Sequence, residues 1–318
     1  MKNKKDQDPV PDSGRRRFLK KSVAAITGAY LGFYVPRFIR MAPNAGVSSK
    51  MQYRVLGRTG FKVSEIGFGG YPVSDPHAVD YALDKGINYI DTSDCYRDGQ
   101  SEETIGKVMK RRRDEAVLTT KFDAFSHTTK EEMLGWIDAS LRRLQTDRID
   151  CLLVHQIGKN SGGESVERLQ NPELFEAFHT AKQQGKVQYL GCSGHDPDLM
   201  EVMNYAITVP DISVILCRYN FRVYPSQPDL FKRAKEKGLG IVAMKTLAGA
   251  RDADLSQFKD KGATFKQAAL KWVLSNPDLS NLIISISSPD QVDEFILASG
   301  RSTGEEEQRA LEISPSGR

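Results

Sequence analysis

Eight short apolar runs recur between residues 64 and 286: SEIGF, NYID, AVLTT, DCLLV, VQYLG, SVILC, GIVAM and LIISI. Each is followed by a helical pattern or by a connection long enough to hold one. Apolar runs that do not alternate with polar residues mark strands covered on both faces, as in a parallel sheet packed by helices. Eight such strand–helix units predict an α/β chain closed into a (β/α)8 barrel of the TIM type. An open doubly wound sheet is the rival, but it requires a G-x-G-x-x-G turn after the first strand. GFGGYPV supplies none. Ahead of the barrel, MQYRVLGRTGFKV (residues 51–63) alternates around the turn-like GRTG and predicts a hairpin.

Helix punctuation agrees with this architecture. Cap–proline pairs place helix starts at Asp75-Pro76, Asn171-Pro172, Asp196-Pro197 and Ser288-Pro289. Proline suits the first helical position, where its missing N–H leaves no bond unmade. Gly86, Gly185 and Gly238 mark helix ends. A helix from Thr128 opens with two overlapping capping boxes, to Glu131 and Glu132, and sets Met133, Leu134, Ile137, Leu141 and Leu144 on one face. The terminal EISPSGR reads as polar and loose.

The formal charge of the 318-residue chain is +4, unevenly spread. Residues 1–50 hold 11 Lys or Arg against 3 Asp or Glu; the remainder keeps 34 of the 45 basic and 38 of the 41 acidic residues, a net of −4. A mildly acidic body argues against nucleic acid as a partner. Inside the basic segment, GRRRFLK precedes an uncharged run over residues 22–36. That order describes an export signal, and Arg15 and Arg16 followed by Phe18, Leu19 and Lys20 resemble the twin-arginine type. The 15-residue run falls short of the ~20 that span a bilayer comfortably. Arg37 and Arg40 stand where a small-x-small cleavage site belongs. The expectation is a twin-arginine-type signal or anchor over 1–50, read by the export machinery and able to tether the protein through residues 22–36. The barrel, residues 51–318, then works in the periplasm or on the outward face of the membrane.

Cys95, Cys151, Cys192 and Cys217 form no C-x-x-C pair and show no zinc spacing. Three of them fall in or beside predicted strands and read as small core residues. Neither a metal site, a disulfide nor an iron–sulfur cluster is expected.

The chemistry gathers at strand ends. INYIDTSDCY stops an apolar strand at Asp91 and places Tyr96 five residues later; VLTTK ends on Lys121 and DCLLVH on His155. In a parallel barrel all C-terminal strand ends share one rim, so these four groups meet. A free phenol, with pKa near 10, is a poor acid at neutral pH. A lysine within ~4–6 Å is expected to lower it, with Asp91 holding the lysine and His155 orienting a carbonyl. The result is a general acid for an oxygen turning into an alkoxide. Such chemistry also needs a hydride, which no side chain provides, and so implies a nicotinamide cofactor.

YRVLGRTGFKVSEIGFGG, GINYIDTSDCYRDGQSEETIG, LTTKF, SLRRLQTDRIDCLLVH and GKVQYLGCSG together resemble the aldo-keto reductase family over nearly all of residues 52–300. The resemblance implies NADPH-dependent reduction of aldehydes or ketones by a tetrad of Asp91, Tyr96 as proton donor, Lys121 and His155. It assigns cofactor contacts to Gly70, Ser193, Lys245, Ser287 and Gln291, with NADP preferred over NAD. Several cofactor positions depart from the family pattern. Ser193-Gly194 replaces Ser-Asn, Leu216 stands for a glutamine, Met244 for a stacking tyrosine, Ile284-Ser285 for Pro-Gly, and Gln291 and Phe295 for an arginine and an asparagine. SGHD and AMKTLAG point to a bacterial subgroup. Because the family includes channel-associated subunits, a non-catalytic nucleotide- or partner-binding barrel is the alternative. Substrate choice falls to residues 156–170, 220–226 and 248–262, whose composition shows no anion clamp.

Overall fold

The computed structural model describes residues 51–194, 197–222, 227–247, 264–301 and 303–313. The expected signal segment, residues 1–50, and the rim segment 248–262 lie outside them. Among the described residues no helix is long and apolar enough to cross a membrane.

Two short strands, β1 (Tyr53–Val55) and β2 (Lys62–Ser64), pair antiparallel as the expected hairpin. Eight parallel strands follow: β3 (Ile66–Gly69), β4 (Tyr89–Asp91), β5 (Val117–Phe122), β6 (Ile149–Val154), β7 (Val187–Gly194), β8 (Ile212–Arg218), β9 (Gly240–Met244) and β10 (Asn281–Ser285). They pair in sequence order, and β10 closes on β3. All eight apolar runs are therefore strands of one closed barrel. β5 and β6 are buried at every position, as expected of strands with side chains on one face in the barrel and on the other under helices.

The helices are α1 (Pro76–Asp84), α2 (Gln100–Arg112), α3 (Lys130–Arg143), α4 (Pro172–Gln183), α5 (Leu199–Ala206), α6 (Gln227–Glu236), α7 (Phe265–Leu274), α8 (Pro289–Ile296) and α9 (Glu305–Ile313). Three of the four cap–proline starts hold. The Asp75, Asn171 and Ser288 side chains accept from His77, Glu173 and Gln291 N–H groups, with proline in the first turn. The fourth does not: Pro197 and Asp198 form a turn, α5 begins at Leu199, and Asp196 lies outside the described residues. Of the two overlapping boxes, Thr129–Glu132 forms. Thr128 instead accepts from the Phe125 N–H, so its box with Glu131 is not made. Gly86 ends α1 in the left-handed region, φ 88°, its N–H bonding Leu83 O while Ile87 N–H bonds Ala82 O. That double bond is the Schellman stop. The terminal segment expected to be loose begins as the last turn of α9, whose Leu311 packs on Phe265 and Ala269.

The hairpin closes one end of the barrel. Leu56 is fully buried, Arg58 N–H bonds Gly238 O, and the Arg58 guanidinium bonds the carbonyls of Pro210 and Ile212. These partners precede or begin β8 and β9. A Cβ on Gly57, φ 49°, would sit 2.2 Å from the Gly240 nitrogen, so only glycine permits this approach. With the N-terminal ends of the strands covered, the accessible mouth is the C-terminal rim.

Candidate active site

At that rim, β4 delivers Asp91 and then turns. Thr92 N–H continues the ladder to Thr119 O, and Tyr96 N–H bonds Ser93 O, folding the loop back over the strand end. Arg97, Asp98 and Gly99 all have positive φ (53°, 55° and 86°), which swings the chain outward into α2. β5 supplies Lys121, and His155 follows β6 with its N–H on Phe122 O. The four predicted groups converge. Lys121 Nζ lies 2.6 Å from Asp91 Oδ1, 2.6 Å from Thr92 O and 3.4 Å from the Tyr96 hydroxyl. The Tyr96 and His155 rings meet edge to face at 5.7 Å.

The electrostatics differ from the expectation at one point. Burial pushes the Tyr96 phenol above its ordinary value, and the pull of Lys121 in the other direction does not offset it. Lysine proximity was read from sequence; the depth of burial that outweighs it is a property of the closed barrel. Burial alone would lower Lys121, but Asp91 and Tyr96 outweigh it and keep the ammonium charged. The Asp91–Lys121 pair is almost wholly buried. Asp94 is pushed up to about 6 by burial and by the Glu102 and Asp123 carboxylates.

A cavity of about 840 Å³ opens above these groups. Of the sequence-predicted residues, Asp91, Tyr96, Lys121, His155, Gly70, Ser193, Lys245 and Gln291 all line it. Gly70 is glycine for a local reason: its N–H bonds Asp91 O, and a Cβ would lie 2.8 Å from that oxygen. Ser287 does not line the cavity. It is exposed, and its N–H and hydroxyl donate to Gln291 Oε1 at 2.8 and 3.1 Å, making it a support for Gln291. Leu216 is fully buried in β8, away from the lining, whereas Met244, Ile284 and Ser285 are on it.

Sequence reasoning missed several lining residues, Lys266, Tyr71 and Cys95 among them, and named Gln156 only as the start of the rim segment 156–170. Lys266 sits in the first turn of α7, behind Thr264 and its capping box with Gln267, and only the closed topology shows that this turn faces the mouth. Tyr71 is 54% exposed and packs edge to face on Tyr96 at 5.5 Å. An exposed aromatic beside the strand-end glycines was the available signal. Cys95 and Gln156 flank His155 Nδ1, both at 3.5 Å. Cys151, Cys192 and Cys217 are buried, as their strand positions predict, but Cys95 is exposed.

The model of the aldo/keto reductase family matches residues 66–257. The chain belongs to this family. L-galactose dehydrogenase of Arabidopsis thaliana is 30% identical over 287 residues, covering 79% of this chain and 88% of that protein. An aldo-keto reductase from Bacillus halodurans, solved in its holo form, is 25% identical with a TM-score of 0.67, over 84% of this chain and 97% of that one. An aldo/keto reductase from Klebsiella pneumoniae, in complex with NADP and acetate, is 26% identical with a TM-score of 0.67, over 83% and 96%. This aldo/keto reductase is therefore an enzyme, an oxidoreductase of aldehydes, ketones and alcohols, and the non-catalytic alternative gives way.

Proposed function

We propose that the cavity binds a nicotinamide nucleotide, NADP(H) in preference to NAD(H), and that Tyr96 is the proton donor in carbonyl reduction. One observation carries this reading: a buried ammonium joins Asp91 at 2.6 Å to the Tyr96 hydroxyl at 3.4 Å on the cavity wall. The remaining lining fits the cofactor. The cavity is within the roughly 300–1,000 Å³ of ligand sites, and Ser193, Lys245, Lys266 and Gln291 supply hydroxyl, cationic and amide groups for a carboxamide and phosphates. The Klebsiella relative in complex with NADP supports the preference. When bound, the nucleotide supplies hydride to the carbonyl carbon. Tyr96 then gives its proton to the developing alkoxide, Lys121 stabilises the phenolate left behind, and Asp91 keeps Lys121 charged and in place. His155, buried at the rim, orients the carbonyl oxygen. The side of the mouth near His155 carries the Asp123 carboxylate, 3.8 Å from Nδ1 and 3.5 Å from the Arg168 guanidinium. A hydroxylated or bulky carbonyl compound fits best, in keeping with the sugar named for the Arabidopsis relative.

The pH dependence tests the assignment. Reduction requires the phenol and oxidation the phenolate. Because the Tyr96 pKa is raised, the proton stays on through neutral pH and leaves only above the ordinary value near 10. The kcat of reduction is expected to hold from about pH 7 to about 10 and fall above that, while the kcat of alcohol oxidation climbs over the same alkaline range. A reduction rate already lost by about pH 8 contradicts the assignment.

The N-terminal segment supports export. Arg15, Arg16, Phe18, Leu19 and Lys20, followed by the uncharged residues 22–36, form a twin-arginine-type signal that carries the barrel out of the cytoplasm already folded. A nucleotide loaded before export and tightly kept is then recycled by alternate oxidation and reduction of two substrates. Substituting Arg15→Lys together with Arg16→Lys in the full chain is expected to leave it in the cytoplasmic fraction. Unchanged fractionation of the double variant excludes this route.

A further inference from the structure

The rim carries a second cluster, which shares His155 with the reductase chemistry and adds two side chains, Cys95 and Asp123, that this chemistry does not use. Cys95 follows β4, Asp123 directly follows β5 and His155 directly follows β6, so three successive strand ends each contribute a metal-ligating side chain. The Cys95 sulfur, an Asp123 carboxylate oxygen and an imidazole nitrogen of His155 all lie within 4.8 Å of one another. Cys95 Sγ is 3.5 Å and Asp123 Oδ1 is 3.8 Å from His155 Nδ1. A tetrahedral zinc ion with Zn–S of about 2.3 Å and Zn–N and Zn–O of about 2.0–2.2 Å requires its ligands to stand about 3.3–3.6 Å apart. The two spacings to His155 Nδ1 come close to this before any side chain moves, and the Cys95–Asp123 separation stays within 4.8 Å.

Access and support are both present. His155 is buried and anchored by the β6 ladder, whereas Cys95 is exposed and the Asp123 side chain is 43% exposed, so an ion reaches the cluster from solvent. Behind the carboxylate stands Arg168, which is fully buried. Its guanidinium donates to Ala124 O at 2.5 Å, lies 3.5 Å from Asp123 Oδ1 and stacks on Phe125 at 4.4 Å. It fixes the direction of the Asp123 side chain as supporting groups do in metal sites. The 28- and 32-residue separations explain why no sequence spacing reveals the cluster; the barrel assembles it.

We propose that Cys95, Asp123 and His155 bind a zinc ion through Sγ, a carboxylate oxygen and Nδ1, and that this ion inhibits the reductase. Binding releases the Cys95 thiol proton to solvent and leaves a fourth position for water. Ser93 Oγ, 3.2 Å from Nδ1, gives up that contact to the metal. Since Cys95 and His155 both line the cavity beside Tyr96, an ion and its water there take room from the carbonyl substrate. The site stands on the geometry of three side chains and does not depend on the catalytic reading of His155.

The test uses the full-length reduced protein. Calorimetry with Zn2+ is expected to give one saturable equivalent, and titration with Co2+ a sulfur-to-cobalt charge-transfer absorption. Cys95→Ser should abolish that absorption and weaken Zn2+ at least tenfold, with Asp123→Asn also weakening it at least tenfold. Both variants keep nucleotide binding, which shows that they fold. Carbonyl reduction by the wild type should be inhibited by Zn2+ competitively with the carbonyl, and Cys95→Ser should need at least tenfold more. Lack of saturable binding, lack of the charge-transfer band, full affinity in either variant, or metal binding without inhibition overturns the proposal.

Discussion

Tyr96→Phe is expected to lower kcat for carbonyl reduction at least ~100-fold, the usual worth of a positioned acid, while nucleotide affinity changes little. Removing one hydroxyl leaves the ring between Tyr71 and His155 in its edge-to-face contacts. Lys121 retains Asp91 and Thr92 O as partners. The substitution therefore deletes a proton without emptying a cavity or stranding a charge. Steady-state kinetics together with a fluorescence titration of NADPH separate the outcomes. A loss confined to KM, or to nucleotide binding, assigns Tyr96 to binding and contradicts its role as acid.

Asp91→Asn acts on stability as well as on rate. The Asp91 and Lys121 side chains are each 1% exposed and joined at 2.6 Å. Breaking such a pair from one side leaves a buried charge without its counterion, at about 3–5 kcal/mol. Denaturant unfolding should show that loss, with the slope unchanged. Replacing both partners, as in Asp91→Asn with Lys121→Met, should recover much of the stability and none of the activity, because the apolar side chain removes the stranded charge. If Asp91→Asn unfolds at the wild-type midpoint, the pair does not carry the coupling that the geometry implies.

The fold was legible because its signals are local. Each strand is a self-contained apolar run, and the starts at Asp75, Asn171 and Ser288 rest on a side chain two or three residues from its N–H. Local signals fail where two of them compete. Thr128 and Thr129 each face a glutamate three residues on, and the second wins because Thr128 is drawn to the Phe125 N–H. The four converging groups were legible through topology alone, since every parallel strand ends on the same rim. What depends on three-dimensional closure was not. Burial decides the direction of the Tyr96 shift against Lys121, Lys266 reaches the mouth only through the placement of α7, and Ser287 turns out to brace Gln291 from outside the cavity.

The proposed site holds a nicotinamide nucleotide over Tyr96 and Lys121. The protein, purified with residues 1–50 intact and then denatured, should release NADP(H), or NAD(H), in a ratio near one per chain, identified by mass. Protein that emerges empty should bind added NADPH or NADH. A chain that releases neither nucleotide and binds neither when offered contradicts the account, whatever the geometry of its four rim residues.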